Sequence, residues 1–471
     1  MRNGSEVTTE MDIITVKEIV EATGGNLLCG DPAREIRGVS TDSRTVGTED
    51  LFVPLIGEVH DAHKFLGQVI ERGCRVIVLS DETALPEGRG DLNAVLVPDT
   101  LKALQNLSKY YLDKIGVRRV AVTGSVGKTT TRDMIYYICS EKFVTGRPQK
   151  NYNNTVGVPL TIFTFDSSME VAVFEEGMDH AGMIHEVTEI TRPEVAVITN
   201  IGISHMEHLG SRENIRKAKM EITDFFGPDN VLVINQSNDM LDKAEIRGPY
   251  RVVTAGADGG EDYSVHGITE NGEKGIEFML DHDGRSYEIA LGVPGAHNAV
   301  NAALAVAAGV ELGVSVEEAV EGLKKLSITG KRLNIRHGNG FTVIDDSYNA
   351  APESMKSAIR TLMSAESGRK IAMLAGMNEL GEQSESYHEE VGRFAAESGV
   401  TLVAGVGEKA ADIVKGAEEA GGNAAWFGSN EELFEALPEL LEKGDTVLVK
   451  GSNAMRMDLV ADRIVGENEV K

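Results

Sequence analysis

The chain has 471 residues, of which 41% are hydrophobic, and a formal net charge of −28. That length is too great for one ordinary hydrophobic core, so we expect two to four domains. The 51 glycines suit an α/β protein with many turns between strands and helices. The acidic charge argues against binding to nucleic acid or to anionic lipid, and no apolar run approaches the length of a membrane span.

The cysteines and the N-terminus indicate the compartment. Cys29, Cys74 and Cys139 lie far apart and form no Cys-x-x-Cys, so neither a disulfide framework nor a zinc site is predicted. Residues 1–10 are polar and lack the apolar core of a signal peptide, and Met11 is a plausible alternative start. We therefore predict a cytoplasmic protein and expect a monomer.

The first predicted domain is a small α/β module over residues 12–98. It begins with an amphipathic helix over residues 12–24, and short strands surround a second helix at residues 62–72. A polar loop, Ser40 to Arg44, directly follows a strand, and its hydroxyl, carboxylate and guanidinium groups suit a nucleotide or a phosphate. A solvated turn is equally consistent with these residues.

The second predicted domain, residues 99–327, contains the motif around which the chain is organised. An apolar strand ending at Val122 leads into the segment Thr123 to Thr130, and a helical pattern follows. Strand, glycine-rich turn and helix form the context of a phosphate-binding loop, in which backbone N–H groups and the helix N-terminus surround phosphate oxygens. Lys128 would then reach the β- and γ-phosphates and the Thr129 hydroxyl would ligate Mg²⁺. The generic motif has glycine where Val122 stands, and the alternative is an ordinary tight turn.

Two further strands of this domain end in polar residues. The apolar run from Val171 ends in Glu175 and Glu176, and a carboxylate at this end of a buried strand is a candidate Mg²⁺ ligand. Capping or solvation is the ordinary alternative.

The strand Glu194–Thr199 leads to His205, at the same predicted sheet edge as the phosphate loop. That position favours a functional histidine over a structural one.

A lysine on the next helix has an unusual position. The helix is predicted over Ser211–Phe226, and Lys219 lies on the flank of its apolar stripe, whereas Lys217 points almost the opposite way. Lys217 is therefore expected in solvent. Lys219 either points partly inward or extends its ammonium outward along the helix.

Other features of this domain are weaker signals. Asn153, Asn154 and Thr155 offer neutral hydrogen bonds to an anionic ligand, although such loops are usually turns. Asp283-Gly284 between two alternating runs predicts an antiparallel hairpin on a mainly parallel sheet. Asn298 begins a buried, alanine-rich helix predicted over Ala299–Leu312, where it would cap the helix or face the nucleotide.

The third predicted domain, residues 328–471, follows a connector over Ser327–Arg336. Strands near residues 343–345, 371–375, 402–406 and 447–450 alternate with helical stretches, which predicts a doubly wound, Rossmann-like domain. Its first strand ends in Asp345 to Asn349 and its last in Lys450-Gly451-Ser452. These strand-end loops form the expected ligand crevice.

Taken in order, these motifs resemble those of the Mur ligases, the ATP-dependent amide-forming enzymes of peptidoglycan precursor synthesis. The resemblance covers the chain from about Met11 to its end. It is carried by the phosphate loop, Asn153 to Pro159, Asn200 to His205, Lys217-Ala218-Lys219, His297-Asn298, Arg332 and Asp346 to Asn349.

Within the family, four stretches resemble the member that adds D-alanyl-D-alanine to UDP-N-acetylmuramoyl-tripeptide. They are Asp345 to Ala350, Glu379-Leu380-Gly381-Glu382, His388 with Glu390-Val391-Gly392, and Val449 to Ser452. Where that member usually has Gly-Asp-Met, this chain has Gly376-Met377-Asn378.

The resemblance implies that ATP phosphorylates a substrate carboxylate and that the amine of D-alanyl-D-alanine attacks the acyl phosphate. It implies two Mg²⁺ ions, one held by Thr129 and Glu175, the other by His205 and a carbamate on Lys219. The implied catalytic residues are Lys128, Glu175, His205 and Lys219. The implied ATP contacts are Gly124, Ser125, Val126, Gly127, Lys128, Thr129, Thr130, Asn298, Arg332, Asp346 and Tyr348.

The resemblance also assigns the sugar-nucleotide substrate to the first half of the chain. Its implied contacts are Thr41, Asp42, Ser43, Arg44, Asn153, Asn154 and Thr155. Two alternatives remain open: a related Mur-type ligase or folylpolyglutamate synthetase that adds another amino acid, and a phosphate-loop NTPase without ligase activity.

Overall fold

The computed structural model describes residues 11–57, 60–86, 90–327, 333–366 and 368–466. Within them the fold is mixed α/β. The elements before residue 117 are β1 (Ile14–Thr15), α1 (Val16–Thr23), β2 (Asn26–Cys29), β3 (Glu35–Ile36), β4 (Gly38–Ser40), β5 (Asp50–Phe52), a 3-10 helix (Ala62–Phe65), α2 (Leu66–Glu71), β6 (Val76–Leu79), a 3-10 helix (Glu82–Ala84), β7 (Asn93–Leu96) and α3 (Thr100–Ile115).

The middle of the chain contains the phosphate loop and the hairpin. Its elements are β8 (Arg118–Thr123), α4 (Lys128–Cys139), β9 (Thr145–Gly146), α5 (Gly157–Ile162), β10 (Val171–Glu175), α6 (Met183–Thr191), β11 (Val195–Ile198), α7 (Met206–Leu209), α8 (Arg212–Met220), a 3-10 helix (Glu221–Thr223), β12 (Val231–Asn235), β13 (Arg251–Gly256), β14 (Tyr263–Glu270), a 3-10 helix (Gly272–Lys274), β15 (Ile276–His282), β16 (Arg285–Leu291), α9 (His297–Glu311) and α10 (Val316–Lys324).

The last part of the chain alternates strands and helices. Its elements are β17 (Asn334–Gly338), β18 (Phe341–Asp346), α11 (Pro352–Ser364), β19 (Lys370–Ala375), a 3-10 helix (Gly381–Gln383), α12 (Ser384–Glu397), β20 (Leu402–Val406), α13 (Ala410–Glu419), β21 (Ala424–Phe427), α14 (Asn430–Leu440), β22 (Thr446–Lys450), a 3-10 helix (Asn453–Met455) and α15 (Met457–Val465).

The chain forms two compact units. The first comprises the chain up to Ala121 together with Phe143–Met178 and Met183–Glu194, and the second comprises Val122–Lys142, Asp179–Gly182 and the chain from Val195 onward. These units divide the residues differently from the three predicted domains. The boundaries at residues 98 and 327 therefore stay a prediction.

A five-stranded sheet organises the start of the first unit. Its strand order is β2-β7-β6-β5-β4, with β2 antiparallel and the other pairs parallel. Phe52, Leu66, Val69 and Ile77 are buried against one another on one side of this sheet. This confirms a small α/β module, although β2 was not predicted.

The second unit contains a run of parallel strands followed by a hairpin. Strands β11 to β14 pair in parallel, and β15 and β16 add in antiparallel orientation. Asp283 (φ 49°) and Gly284 (φ 72°) form the predicted turn, and both have the positive φ that such a turn requires. Helix α8 ends at Met220, earlier than predicted, because the chain tightens there into a 3-10 helix.

The C-terminal sheet of this unit is doubly wound, as predicted. Its order is β17-β18-β22-β19-β20-β21, and only the edge strand β17 is antiparallel. Side chains of α11, α12 and α13 fill one face, and those of α14 and α15 fill the other. The strand order reverses around β22, so ligands are expected at the carboxyl ends of β18, β22 and β19.

Candidate active site

The phosphate loop has the predicted strand–turn–helix form. Strand β8 ends at Thr123 and α4 begins at Lys128. Gly124 (φ 149°) and Gly127 (φ 87°) both adopt backbone conformations that favour glycine. A Cβ atom on Gly124 would lie 1.9 Å from Thr199 Oγ1. Only glycine therefore allows the loop to approach the end of β11 so closely.

Asn200 holds this loop in place. Its side-chain Oδ1 accepts a hydrogen bond from the Val126 N–H (2.9 Å), and its Nδ2 donates to the Val126 carbonyl (3.0 Å). Its own carbonyl accepts from the Ser125 N–H (3.0 Å), and the Ser125 hydroxyl accepts from the Gly202 N–H (2.9 Å). Asn200 was not among the predicted site residues. Its position as a polar residue directly after a buried strand is the signal that identifies it.

Two lysines lie close to this loop. Lys128 Nζ donates to the Gly124 carbonyl (2.7 Å) and the Ser125 carbonyl (3.3 Å). Lys219 is 1% exposed, whereas Lys217 is exposed, which confirms the predicted contrast between them. Of the two orientations left open for Lys219, the structure has the inward one. Burial, and secondarily the charge of Lys128, lower the pKa of Lys219 well below its usual value.

A cavity of about 490 Å³ opens in front of the loop. Its wall combines the loop, the segment after β11, the start of α9, and the strand-end residues of β18 and β22. Two predicted ATP contacts, Gly124 and Thr129, do not line the cavity but are sequence neighbours of residues that do, and a third, Arg332, lies outside the described residues. The predicted ATP contacts that line the cavity are Ser125, Val126, Gly127, Lys128, Thr130, Asn298, Asp346 and Tyr348.

A buried ion pair forms the wall at the carboxyl ends of β18 and β22. Lys450 Nζ lies 2.5 Å from Asp346 Oδ2 and donates to the Asn349 carbonyl at 2.8 Å. Asp346 Oδ1 accepts from the Leu333 N–H at 3.2 Å. Lys450 was placed in the predicted crevice but not among the predicted site residues, because strand pairing is needed to see that it neutralises Asp346.

The start of α9 supplies another part of the wall. Asn298 Nδ2 donates to the Pro294 carbonyl (2.8 Å), and Asn298 Oδ1 accepts from Asn301 Nδ2 (3.0 Å). His297 Nδ1 lies 2.8 Å from Ser357 Oγ. His297 lines the cavity and is exposed there. Desolvation by the protein atoms near the ring is the main cause that lowers the pKa of His297 to about 4, so the ring is neutral near pH 7.

His205 lies outside the cavity lining and contacts a carboxylate. Its Nδ1 is 2.5 Å from Glu379 Oε2. The contact with His205 lowers the pKa of Glu379 below its ordinary value. Sequence reasoning placed Glu379 in a family motif but gave it no role.

In the first unit, the two candidate glutamates have different surroundings. Glu175 is buried and accepts a hydrogen bond from Asn153 Nδ2 at 3.0 Å. Glu176 is fully buried between the hydroxyls of Thr188 and Thr191, each donating at 2.7 Å. Burial raises the pKa of Glu176 to about 7. Both carboxylate oxygens of Glu176 thus accept hydrogen bonds from threonines, as in a structural role. Of the two glutamates, Glu175 therefore stays the candidate Mg²⁺ ligand.

The loop of Asn153 to Thr155 is largely held by local hydrogen bonds. Asn154 Oδ1 accepts from the Val156 and Gly157 N–H groups at the start of α5, and the Thr155 carbonyl accepts from Gln105 Nε2 at 3.4 Å. The Asn154 side chain therefore holds the turn that leads into α5, and the predicted substrate contacts of Asn153, Asn154 and Thr155 stay a prediction.

The loop of Thr41 to Arg44 is a surface turn whose charges pair with each other. Arg44 Nε and Nη2 donate to Asp42 at 2.9 and 2.7 Å, although the Arg44 side chain is 84% exposed. The bond from Arg44 lowers the pKa of Asp42 to about 2. This arrangement has the form of a solvated turn, and the predicted substrate contacts of Thr41, Asp42, Ser43 and Arg44 stay a prediction.

The donor groups suit a metal ion that arrives with a nucleotide. Among the described residues, no group of three or more His, Cys, Asp or Glu side chains is placed to hold a metal ion. Mg²⁺ commonly takes one or two protein ligands and fills its other positions with phosphate and water oxygens. The Thr129 hydroxyl in the second unit and the Glu175 carboxylate in the first are each a buried oxygen group of this chemical kind.

No helix in the described part of the chain is long and apolar enough to cross a membrane.

Comparison with known proteins places the chain in a family. The Mur ligase middle domain matches residues 122–309, and the Mur ligase glutamate ligase domain matches residues 331–453. A UDP-N-acetylmuramoyl-tripeptide--D-alanyl-D-alanine ligase of Bacillus subtilis is 36% identical over 96% of this chain and 98% of its own. This chain belongs to the Mur ligase family. The predicted family is thereby confirmed.

Solved Mur ligase structures support the fold. A crystal structure of MurF from Acinetobacter baumannii matches with a TM-score of 0.90 and 31% identity, over 98% of this chain and all of that one. MurF from Thermotoga maritima in complex with ADP matches with a TM-score of 0.81 and 27% identity, over 91% and 97% of the two chains. These similarities confirm the predicted α/β fold class of the three-domain Mur ligases and the ligase class of enzyme.

Proposed function

We propose that this chain is an ATP-dependent ligase that joins D-alanyl-D-alanine to UDP-N-acetylmuramoyl-tripeptide. The observation that carries the proposal is the phosphate loop, held by Asn200 and open to a cavity lined also by Asp346 and Lys450, in a chain that is similar over nearly its full length to ligases of that name. The names of these relatives favour this reaction over the reaction of a folylpolyglutamate synthetase. ATP as the nucleotide is supported by the ADP found in the Thermotoga relative.

The reaction overcomes the low electrophilicity of a carboxylate. A carboxylate oxygen attacks the γ-phosphorus of ATP, the bond to the β-phosphate oxygen breaks, and an acyl phosphate and ADP form. The amine of D-alanyl-D-alanine then attacks the acyl carbon. The resulting tetrahedral intermediate loses a proton from nitrogen and expels phosphate. The products are the amide, ADP and inorganic phosphate.

Charge neutralisation is the main task of the protein in this reaction, because the γ-phosphate and the carboxylate are both anions. Lys128 supplies a positive charge at the phosphate loop, and α4 begins immediately after the loop with the positive end of its dipole. Gly124, Ser125, Val126, Gly127 and Thr130 shape the phosphate cradle. Asn298, Arg332, Asp346 and Tyr348 are the proposed contacts to the rest of ATP.

Mg²⁺, when bound, neutralises phosphate charge, with Thr129 and Glu175 as proposed ligands at one site and His205 and Lys219 at the other. The burial of Lys219 supports carbamylation, since a neutral amine is the form that reacts with CO₂ and a buried ammonium beside Lys128 is disfavoured. The carbamate would supply the anionic oxygen that Mg²⁺ prefers.

The sugar-nucleotide substrate is assigned to residues of the first unit. We propose that Thr41, Asp42, Ser43 and Arg44 hold its uridine-diphosphate end and that Asn153, Asn154 and Thr155 contact its phosphates or sugar. The exposure of the Arg44 guanidinium supports this role, because the group is accessible to an incoming phosphate. We also propose a cytoplasmic location, where ATP is abundant, and a monomeric state.

Phosphate release tests the proposal. We expect ATP turnover only when UDP-N-acetylmuramoyl-tripeptide and D-alanyl-D-alanine are both present, and little turnover with single amino acids as acceptors. Activation by another amine would indicate a related ligase. ATP hydrolysis that ignores both substrates would indicate a simple NTPase. The Lys128→Ala variant is the control, because loss of the loop cation should remove turnover in each case.

A further inference from the structure

Ser125 of the phosphate loop is bonded to the segment after β11 at two points. Its N–H donates to the Asn200 carbonyl (3.0 Å), and its hydroxyl oxygen accepts from the Gly202 N–H (2.9 Å). Because the hydroxyl accepts this bond, its own hydrogen remains to be donated, and no group in the described part of the chain accepts it. Ser125 is buried and lines the cavity. The hydroxyl therefore has a donor left for an oxygen atom of a bound ligand.

The two peptide units that hold Ser125 are consecutive. The first joins Asn200 to Ile201, and the second joins Ile201 to Gly202. A peptide unit is planar and trans, so its C=O and N–H groups point to opposite sides. Each unit therefore binds Ser125 with one of these groups and turns the other away from the phosphate loop.

Two side chains bind the far sides of these peptide units. Asn238 Oδ1, after β12, accepts from the Ile201 N–H at 3.2 Å. Arg212 Nη2, at the start of α8, donates to the Ile201 carbonyl at 2.8 Å. Both residues also line the cavity. Because a peptide unit is rigid, a bond on its far side also fixes the direction of the group that holds Ser125.

The two side chains are themselves held by neighbouring groups. The Arg212 Nη1 and Nη2 atoms donate to the Asp239 carboxylate at 2.7 and 2.6 Å, and this paired arrangement limits rotation of the guanidinium. The Asn238 amide is oriented as well, because its Oδ1 also accepts from the Met240 N–H at 3.3 Å. Both side chains thus present their polar atoms to Ile201 in a defined direction.

We infer that Arg212 and Asn238 are positioning residues of the phosphate loop, which act on Ser125 through the two peptide units of Ile201. Arg212 acts on the Ser125 hydroxyl, and Asn238 acts on the Ser125 main chain. A loop held in this way meets phosphate oxygens with its donors already in place, so less free energy is lost in ordering it on binding. That the ligand is ATP rests on the proposed function, whereas the hold on Ser125 does not.

The substitution Arg212→Met isolates the contact with the hydroxyl side of Ser125. Methionine keeps much of the side-chain length and removes the donor to the Ile201 carbonyl. Arg216→Met is the matched control, because Arg216 lies one turn along the same helix and pairs with the Glu245 carboxylate. The side chains of Arg216 and Arg212 are 28% and 32% exposed, and within the described residues Arg216 has no bond to Ile201. Asn238→Ala removes the acceptor for the Ile201 N–H.

The affinity for MgADP, measured by isothermal titration calorimetry on the full chain, reports how well the loop holds phosphates. We expect the dissociation constant to rise about fivefold in Arg212→Met and Asn238→Ala, as for the loss of about one hydrogen bond, and to stay within about twofold in Arg216→Met. The substitution Ser125→Ala removes the hydroxyl through which Arg212 acts. In that background Arg212→Met should add little, whereas Asn238→Ala should still have its full effect.

Hydrogen exchange followed by mass spectrometry gives a second readout, which needs no ligand. We expect peptides that contain residues 123–128 to take up deuterium faster in Arg212→Met and in Asn238→Ala than in the unsubstituted protein, because the loop is less firmly held. The rate should be unchanged in Arg216→Met.

The same MgADP affinity and the same exchange in both variants as in the unsubstituted protein would overturn the inference. A fully additive effect of Arg212→Met in the Ser125→Ala background would also overturn it, since a merely structural contribution does not depend on the hydroxyl. If Arg212→Met does not fold, Asn238→Ala decides by the same two measurements. A chain that forms no amide or binds no MgADP would refute the proposed function alone, and the exchange measurement would then decide the inference.

Discussion

The Asn200 side chain bridges the phosphate loop at Val126, accepting from its N–H at 2.9 Å and donating to its carbonyl at 3.0 Å. Both bonds go to main-chain atoms, so they fix the path of the loop whatever side chain stands at position 126. The loop is thus held by the end of the neighbouring strand as well as by its glycines.

The substitution Asn200→Asp should weaken ATP binding. The carboxylate keeps the acceptor for the Val126 N–H, but it loses the donor and adds a negative charge beside the triphosphate site. We expect the KM for ATP to rise roughly tenfold or more, consistent with the loss of about one hydrogen bond and added repulsion. Steady-state kinetics measure this. Asn423→Asp adds the same charge at an exposed position and should leave KM unchanged; an equal effect in both variants would refute the role of Asn200.

The substitution Lys219→Ala should reduce kcat on the order of 100-fold, as expected when a group that stabilises transition-state charge is lost. If the active form is a carbamate, millimolar acetate or another short carboxylate should restore part of the activity. Lys217→Ala is the matched control, because this exposed neighbour should tolerate the change. Normal turnover by Lys219→Ala would end the carbamate proposal.

Glu176 should make the stability of the protein depend on pH. Burial raises its folded pKa from 4.5 to about 7, so the folded state binds the proton more tightly than the unfolded state. This contribution is fully present below about pH 4.5 and is lost as pH rises through 7. The shift corresponds to about 3 kcal/mol at most. We expect Glu176→Gln to remove this loss of stability, which urea unfolding measures as the difference in the free energy of unfolding between pH 5 and pH 8. If that difference is the same in the variant and in the unsubstituted protein, the burial of the Glu176 charge is contradicted.

The ion pair of Asp346 and Lys450 should behave as a coupled unit. Asp346→Asn leaves a buried ammonium without its anion, and we expect the free energy of unfolding to fall by about 3 kcal/mol. Adding Lys450→Met to that variant should recover most of the loss, because the unpaired charge is then gone. Denaturant unfolding of the single and double variants gives the coupling energy. Additive losses would show that the pair does not interact.

The predictions that succeeded rest on local patterns. The phosphate loop and the Asp283-Gly284 hairpin each have a complete signal within a few residues, and the structure has them where the sequence places them. The contrast between Lys219 and Lys217 was also predictable, because helical periodicity separates their directions, although it did not decide whether Lys219 points inward or extends outward.

The features that sequence reasoning missed depend on tertiary contacts or on weak patterns. Strands β17 and β21 are short edge strands without a clear alternation of burial, so nothing local distinguishes them from loops. The contacts of Asn200, Lys450 and Glu379 appear only when distant loops are brought together. The Asn154 side chain accepts from the Val156 and Gly157 N–H groups, which fits the turn that sequence reasoning offered as the alternative, and its contact with substrate stays a prediction.

The most direct test of the acyl-phosphate mechanism traces one oxygen atom from the substrate carboxylate into the released phosphate. UDP-N-acetylmuramoyl-tripeptide, labelled with ¹⁸O at the carboxyl group that becomes the amide, is converted with ATP and D-alanyl-D-alanine, and the released phosphate is analysed by mass spectrometry. Attack of the carboxylate on the γ-phosphorus predicts one ¹⁸O atom in each phosphate ion. Phosphate without label would contradict the acyl phosphate and with it the central claim.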